Sequence, residues 1–322
     1  MQTDAHVRRV LFEGKRAVGV EYARGGQTVQ ARSNREVLLC AGALQSPQLL
    51  QLSGIGPAHL LVQTGVPLLH ELPGVGENLQ DHLALRFVFK CSKPITTNDA
   101  LKNPWAKLMT GLRYVMFRRG PMAVGVMVGM ISTGVMAGAT LPDTHYFIST
   151  VSAEDRGRQP HKFSGFTIVY YLLRPTSRGT VRIKSADPLA APAMLFNYLA
   201  TDHDRAGMLA GALMTRKLAQ TRALAPYILH EYIPGPAVAS DDEIVAAVRA
   251  SGNTGYHPVG TCRMGRDAQA VVDPRLRVHG IGGLRVVDAS VMPTLVSGNT
   301  NAATIMIAEK GADMIRADRG AA

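Results

Sequence analysis

Two loops carry the residue types that chemistry needs. The first is SGNTGYHPVGTCRMG, residues 251–265, which puts His257 directly before Pro258. A proline ring restricts the backbone ahead of it, and the surrounding Gly, Ser and Thr mark a loop rather than the apolar face of a helix. Imidazole is the side chain whose ordinary pKa suits proton transfer near neutrality, so His257 is a candidate general base. The alternative is a loop histidine bonded to backbone carbonyls. The second loop lies in RVVDASVMPTLVSGNTNAATIMIAEKGADMI, residues 285–315. There an apolar strand ends on Asp288, and Asn299 and Asn301 stand just before an expected helix. Free N–H groups at a helix N-terminus favour negative charge; the plainer reading makes Asn301 the helix cap.

Several other chemistries find no support. No GxGxxG follows a strand, because Gly74-Val75-Gly76 leads into NLQDH rather than a helix. Walker A, HExxH, GxSxG and kinase patterns are lacking. Cys40, Cys91 and Cys262 are widely spaced and odd in number, which argues against a disulfide framework or a zinc site. Cys40 and Cys262 read as small buried side chains.

The chain has 322 residues, 46% of them hydrophobic and 18% charged, a composition that fits a folded protein of about two domains. Thirty-five Lys and Arg against 24 Asp and Glu leave a net charge of +11. The basic residues are scattered and form no RNP, finger or basic-helix pattern, so nucleic acid is not an expected partner. The N-terminus lacks a secretory pattern, which points to a cytoplasmic protein with peripheral membrane association left open. Residues 120–142, GPMAVGVMVGMISTGVMAGATLP, are uncharged and long enough to span a bilayer. Many glycines, terminal prolines and the lack of an aromatic belt favour instead a buried Gly-rich segment lining a cavity.

The elements that must position the two loops follow from periodicity. Residues 5–41 read as strands, with a Gly25-Gly26 turn and a final buried run at Val37–Ala41. Ser46-Pro47 predicts a helix start, Gly54 its end, and Pro57 a second short helix. Then comes the turn-rich loop ELPGVGENLQDH. From about Leu83 to Pro236, the runs LRFVFK, HYFIST, FTIVYYLL and GTVRIK suggest an antiparallel sheet, with helical sequence at 205–221. Ser240 with Glu243 matches a capping box. The last stretch returns to the first style, with a strand at 284–288 and a helix from Asn301 to about Ala317.

Taken in order, VLLCAG, GALQSPQLLQLSGIG (42–56), LPGVGENLQDH, HPVGTCRMG (257–265) and LRVVDASVMPTLVSGNTNAATIMIAEKGADMI resemble the C-terminal part of glucose–methanol–choline (GMC) oxidoreductases. These are flavoenzymes that oxidise alcohols. The likeness runs essentially end to end, but the family's first βαβ unit, with its Gly-rich ADP-binding loop, has no counterpart. The resemblance therefore implies an α/β (α+β overall) protein. A partial FAD-binding Rossmann-like domain, 1–82 and 237–322, would be interrupted by an antiparallel-sheet substrate domain at 83–236. It further implies a truncated or split member, for which a complementing N-terminal chain is expected and FAD binding by this chain alone is in question.

Carried over position by position, the resemblance makes His257 the base that takes the hydroxyl proton and Asn299 the group that orients the alcohol. Thr300 and Asn301 become flavin contacts at the helix start, and Asp288 and Ala289 contacts to the ribityl–pyrophosphate stretch. Val7 matches the position whose backbone meets adenine. NLQDH (78–82) resembles a lid over the flavin, while a packing turn is an equal reading for Asp81 and His82. The implied reaction is oxidation of a primary alcohol, with electrons passed to a quinone-type or respiratory acceptor and choline as the alternative substrate. The apolar 120–142 segment and the few aromatics favour a non-choline alcohol. A reading of another class is a non-catalytic fragment that binds no flavin.

Overall fold

The first 32 residues form an antiparallel meander of His6–Glu13, Arg16–Arg24 and Gln27–Arg32. Its second turn is the expected one: Gly25 and Gly26 both take positive φ and let Arg24 pair with Gln27. Next, Val37–Leu39 pairs in parallel with Leu284–Val286, residues almost 250 positions away. This short strand is not covered on both faces. Val37 and Leu39 are buried, but Leu38 is 43% exposed and Cys40 is exposed. The expected buried run at 37–41 is thus buried on one face only, and of the two cysteines read as buried only Cys262 is.

The structure, a computed structural model, describes residues 1–154 and 159–320. It contains two compact units. The first comprises Met1–Asp81, Pro175–Ala200 and Tyr256–Ala322; the second comprises His82–Arg174 and Thr201–Gly255. The mixed α/β class stands, and the second unit starts within one residue of the expected 83, but 175–200 belong to the first unit and the second runs to Gly255 rather than 236. GTVRIK forms a strand, Thr180–Arg182, that pairs with Ala193–Leu195 rather than joining the large sheet. Gln51 holds it in the first unit. Its buried amide donates to the Val181 carbonyl at 3.0 Å and accepts from Ile183 N at 2.9 Å. At the other end, Asn253–Thr254 pairs with Leu83–Cys91, which carries the second unit as far as Gly255.

In the first unit the helix Gly42–Leu52 begins four residues before the predicted Ser46-Pro47 start. Asp288 explains the difference. One carboxylate oxygen accepts from Gly42 N at 2.9 Å and from the Ser46 hydroxyl at 2.5 Å, so the helix N-terminus is satisfied from outside its own segment. Pro47 then sits inside the helix and offers no N–H to the Ala43 carbonyl four residues back. The Thr261 hydroxyl donates to that carbonyl at 2.5 Å in a fully buried setting. Thr261→Val keeps the shape and removes the donor, so it should cost about 1–3 kcal/mol of unfolding free energy. Urea denaturation reads this as a lower midpoint at unchanged slope; an unchanged midpoint would show that the Ala43 carbonyl has another partner.

The second unit is built on a six-stranded antiparallel sheet in the order Ile228–Ile233, Leu83–Cys91, Gly165–Leu172, Thr144–Ser149, Met127–Thr133, with Asn253–Thr254 alongside. The helix Asp202–Ala219 lies on it where Gly207 and Gly211 allow close approach; a side chain at Gly211 would come within 2.3 Å of the Tyr170 ring. Tyr146 and Tyr170 donate from beneath to the carbonyls of Gly211 and Met208. The capping box at Ser240 forms as expected and opens the helix Asp241–Ser251. Residues 120–142 do not form a buried segment. They supply the short turn Pro121–Ala123 and the edge strand Met127–Thr133, and most of their side chains are exposed. Glycine content and the missing aromatic belt underlie the buried expectation, and neither says which face is covered. Among the described residues no helix is long and apolar enough to cross a membrane.

Candidate active site

His257 and Asn299 meet in the first unit. The imidazole Nε2 lies 3.2 Å from the Asn299 amide nitrogen. With that NH₂ as donor, Nε2 carries the lone pair and the ring proton sits on Nδ1. His257 is 8% exposed, and burial lowers its pKa from the ordinary 6.5, with the Asp81 charge opposing. Both influences have clear signs: desolvation disfavours the imidazolium, and a nearby carboxylate favours it. Asn299 belongs to an exposed loop tip that ends in Thr300. The buried base and the exposed amide thus stand side by side.

Local backbone conformation delivers the histidine. Tyr256 takes a positive φ of 60°, an uncommon setting for a tyrosine, and Pro258 fixes the other side. Asp81 holds this turn: its carboxylate accepts from His257 N at 2.8 Å and from the Tyr198 hydroxyl at 2.5 Å. The rest of NLQDH works in the same direction. Asn78 donates to the carbonyls of Gly260 and Pro293. Gln80 exchanges backbone bonds with Val259, donates to the Pro293 carbonyl and accepts from Leu295 N. Leu79, Gln80 and Asp81 are each at most 4% exposed, so the motif is a buried strut between the His257 loop and the 293–295 loop. Gly260, with φ of 94°, fits against it; any side chain there would come within 2.5 Å of the Asn78 carbonyl. Asn78, Gln80 and Asp81 enter the sequence expectation only as part of the NLQDH lid or packing turn, and Tyr198 does not enter it. NLQDH gave a signal in its turn-rich composition, whereas Tyr198 gave none.

The remaining expected residues divide into two places. Thr300 stands at the start of the helix Asn301–Gly320, and its carbonyl accepts from Thr304. Asn301 is therefore the first helical residue rather than the cap, and it is exposed beside Asn299. Asp288 is 6% exposed, and its carboxylate is fully engaged, by Gly42 and Ser46 on one oxygen and by Ser290 N and Oγ on the other. It acts as a clamp within the fold, and the Ala289 carbonyl beside it accepts from Gly260 N and Met292 N. Val7 lies apart from these, in the meander, on the wall of a cavity of about 460 Å³ shared with Val20, Leu38, Cys40 and Ala41. That cavity adjoins the carboxyl end of the parallel strand, the usual ligand position in open α/β sheets. Its wall is mostly apolar, with Arg32, Ser33 and Glu36 also lining it, a mixture that suits a purine ring with its polar edge. The N-terminus of the long helix fits the anionic end of a reduced flavin. The residues present are thus compatible with FAD.

Comparison with known proteins gives the family. Two sequence models of GMC oxidoreductases match residues 1–84 and 175–308. The oxygen-dependent choline dehydrogenase 1 of Chromohalobacter salexigens is 44% identical over 321 residues, covering 98% of this chain and 57% of that protein. Formate oxidase of Aspergillus oryzae superposes with a TM-score of 0.90 at 28% identity, over 98% of this chain and 60% of its own. Pyridoxine 4-oxidase from Mesorbium loti gives 0.82 at 30% identity, over 96% and 56%. The chain belongs to the GMC oxidoreductase family. It spans a little over half the length of the curated relatives it matches.

Proposed function

We propose that the protein oxidises an alcohol to a carbonyl compound with FAD, using His257 as the base and Asn299 as the orienting group. The observation that carries this reading is the 3.2 Å approach of the Asn299 amide to a buried, neutral Nε2. A bound hydroxyl engages both groups: it donates its proton to Nε2 and accepts from the Asn299 amide. FAD, when bound, supplies the acceptor for the hydride that leaves the carbinol carbon. Val7 and the strand end at Cys40-Ala41 would hold its adenosine end, and backbone groups at Ala289, Thr300 and Asn301 its other end.

Choline is the alcohol that the similarity favours, since curated choline dehydrogenases share 43–44% identity with the chain. The preference for a non-choline alcohol rests on the apolar 120–142 segment and on the few aromatics; that segment is largely exposed, which leaves only the aromatic content on its side. A quinone-type or respiratory acceptor, or oxygen, as the relatives' name indicates, would take the electrons on. The test is titration of the chain with FAD, followed by absorbance and flavin fluorescence, and then anaerobic addition of choline. Saturable binding with a shifted flavin spectrum, followed by bleaching with choline, is the expected result. Binding without bleaching by choline or other primary alcohols would overturn the activity. A folded chain that binds no flavin would favour the non-catalytic reading.

A further inference from the structure

The helix Pro104–Phe117 is inverted relative to a helix packed on a core. None of its 14 residues is buried. Its large apolar side chains, Trp105, Leu108, Met109, Leu112, Val115 and Met116, are between 43% and 70% exposed. At 3.6 residues per turn these six fall on one stripe about 120° wide. The half-buried residues Ala106, Thr110 and Tyr114 lie on the opposite side and face the protein. The apolar surface continues into the next segment, where Met122, Val124 and Val126 are 56–62% exposed. A patch of this kind is uncommon on a monomer and marks an interaction site.

The charge around the stripe selects the partner. Between Asp99 and Asp143 the sequence holds no acidic residue, but it holds Lys102, Lys107, Arg113, Arg118 and Arg119. On the helix, Arg113 borders the stripe on one side, and Lys102 before the helix and the exposed Arg118 and Arg119 after it stand at its two ends. A Trp- and Leu-rich face edged by Lys and Arg is the pattern of a helix lying in a membrane interface, where the basic groups meet anionic headgroups. A two-fold pairing of identical faces would instead set basic rim against basic rim, which opposes association. With 14 residues the helix is too short to span a bilayer, which takes about 20. We propose that the Trp105–Met116 stripe, with Met122–Val126 beside it, docks this protein in the plane of an anionic lipid surface.

Trp105 is the only tryptophan of the chain, so its emission reports on the patch directly. Titration with vesicles of phosphatidylglycerol mixed with phosphatidylcholine should shift that emission to the blue and sediment the protein. Pure phosphatidylcholine vesicles should bind far less, and added salt should reverse binding. The exposed double variant Leu108→Glu/Leu112→Glu should lose vesicle binding by at least about tenfold while keeping its circular dichroism. Arg113→Gln and Arg119→Gln should each weaken it by about fivefold. Three results would overturn the proposal. The first is no emission shift or sedimentation with phosphatidylglycerol vesicles. The second is binding undiminished in the double Glu variant. The third is blue emission without lipid together with a dimer mass, which would place a second copy on the stripe.

Discussion

His257→Gln should slow alcohol-driven reduction of the flavin-loaded protein by about 10²–10⁴-fold, the range of a positioned general base. Glutamine keeps a polar side chain of similar reach, and the backbone N–H that Asp81 accepts is unchanged, so flavin affinity should stay the same. The size of the effect follows from the proton. A hydroxyl gives up its proton with difficulty unless a base stands within hydrogen-bond reach as the hydride departs. Nε2 is poised because burial favours its neutral form, and in the proposed reaction the Asn299 amide beside it would hold the alcohol oxygen in line. Asn299→Ala should also slow the reaction, but less, because the base remains. Anaerobic single-turnover reduction separates the two roles. A His257→Gln rate within a few-fold of the parent would remove His257 as the base.

How much of this was legible in the sequence depends on whether the deciding contact is local. The Gly25-Gly26 hairpin and the Ser240–Glu243 capping box involve neighbours only, and both form as the sequence predicts. The pairing of His257 with Asn299 joins two loops 42 residues apart; both loops stand out by residue type, but their meeting follows only from the family resemblance. The helix start at Gly42 escapes local reading because the group that caps it, Asp288, lies 246 residues away. GTVRIK is a strand, as its β-branched pattern demands, yet its sheet is chosen by the Gln51 amide, which no periodicity reveals. Residues 120–142 show the limit most clearly. Their composition is that of a core, and only the structure shows them on an edge strand with an uncovered face. Asp81 is visible as part of NLQDH, but its role depends on meeting His257 and Tyr198.

Asp81→Asn should move the acid limb of the rate profile, and the imidazole titration of His257, to lower pH. Two opposing influences set that titration, burial lowering the pKa and the Asp81 carboxylate raising it. Asparagine can still accept from His257 N, so the turn is retained while the negative charge is lost. Burial then acts unopposed, the imidazolium is disfavoured further, and the neutral base persists to more acid conditions. The stability consequence has the matching sign. A histidine whose folded pKa lies below its unfolded value binds fewer protons folded than unfolded, so its contribution is complete above the unfolded value near 6.5 and is lost as pH falls below it. Asp81→Asn extends that loss to lower pH. Asp81→Ala should behave differently: with the acceptor for His257 N and the partner of Tyr198 both gone, turnover should fall at every pH, and about 1–3 kcal/mol of stability should be lost. Proton NMR of the His257 ring measures the titration without requiring turnover. A titration in Asp81→Asn that stays in place or moves to higher pH would show that the carboxylate acts on His257 only as a mechanical support.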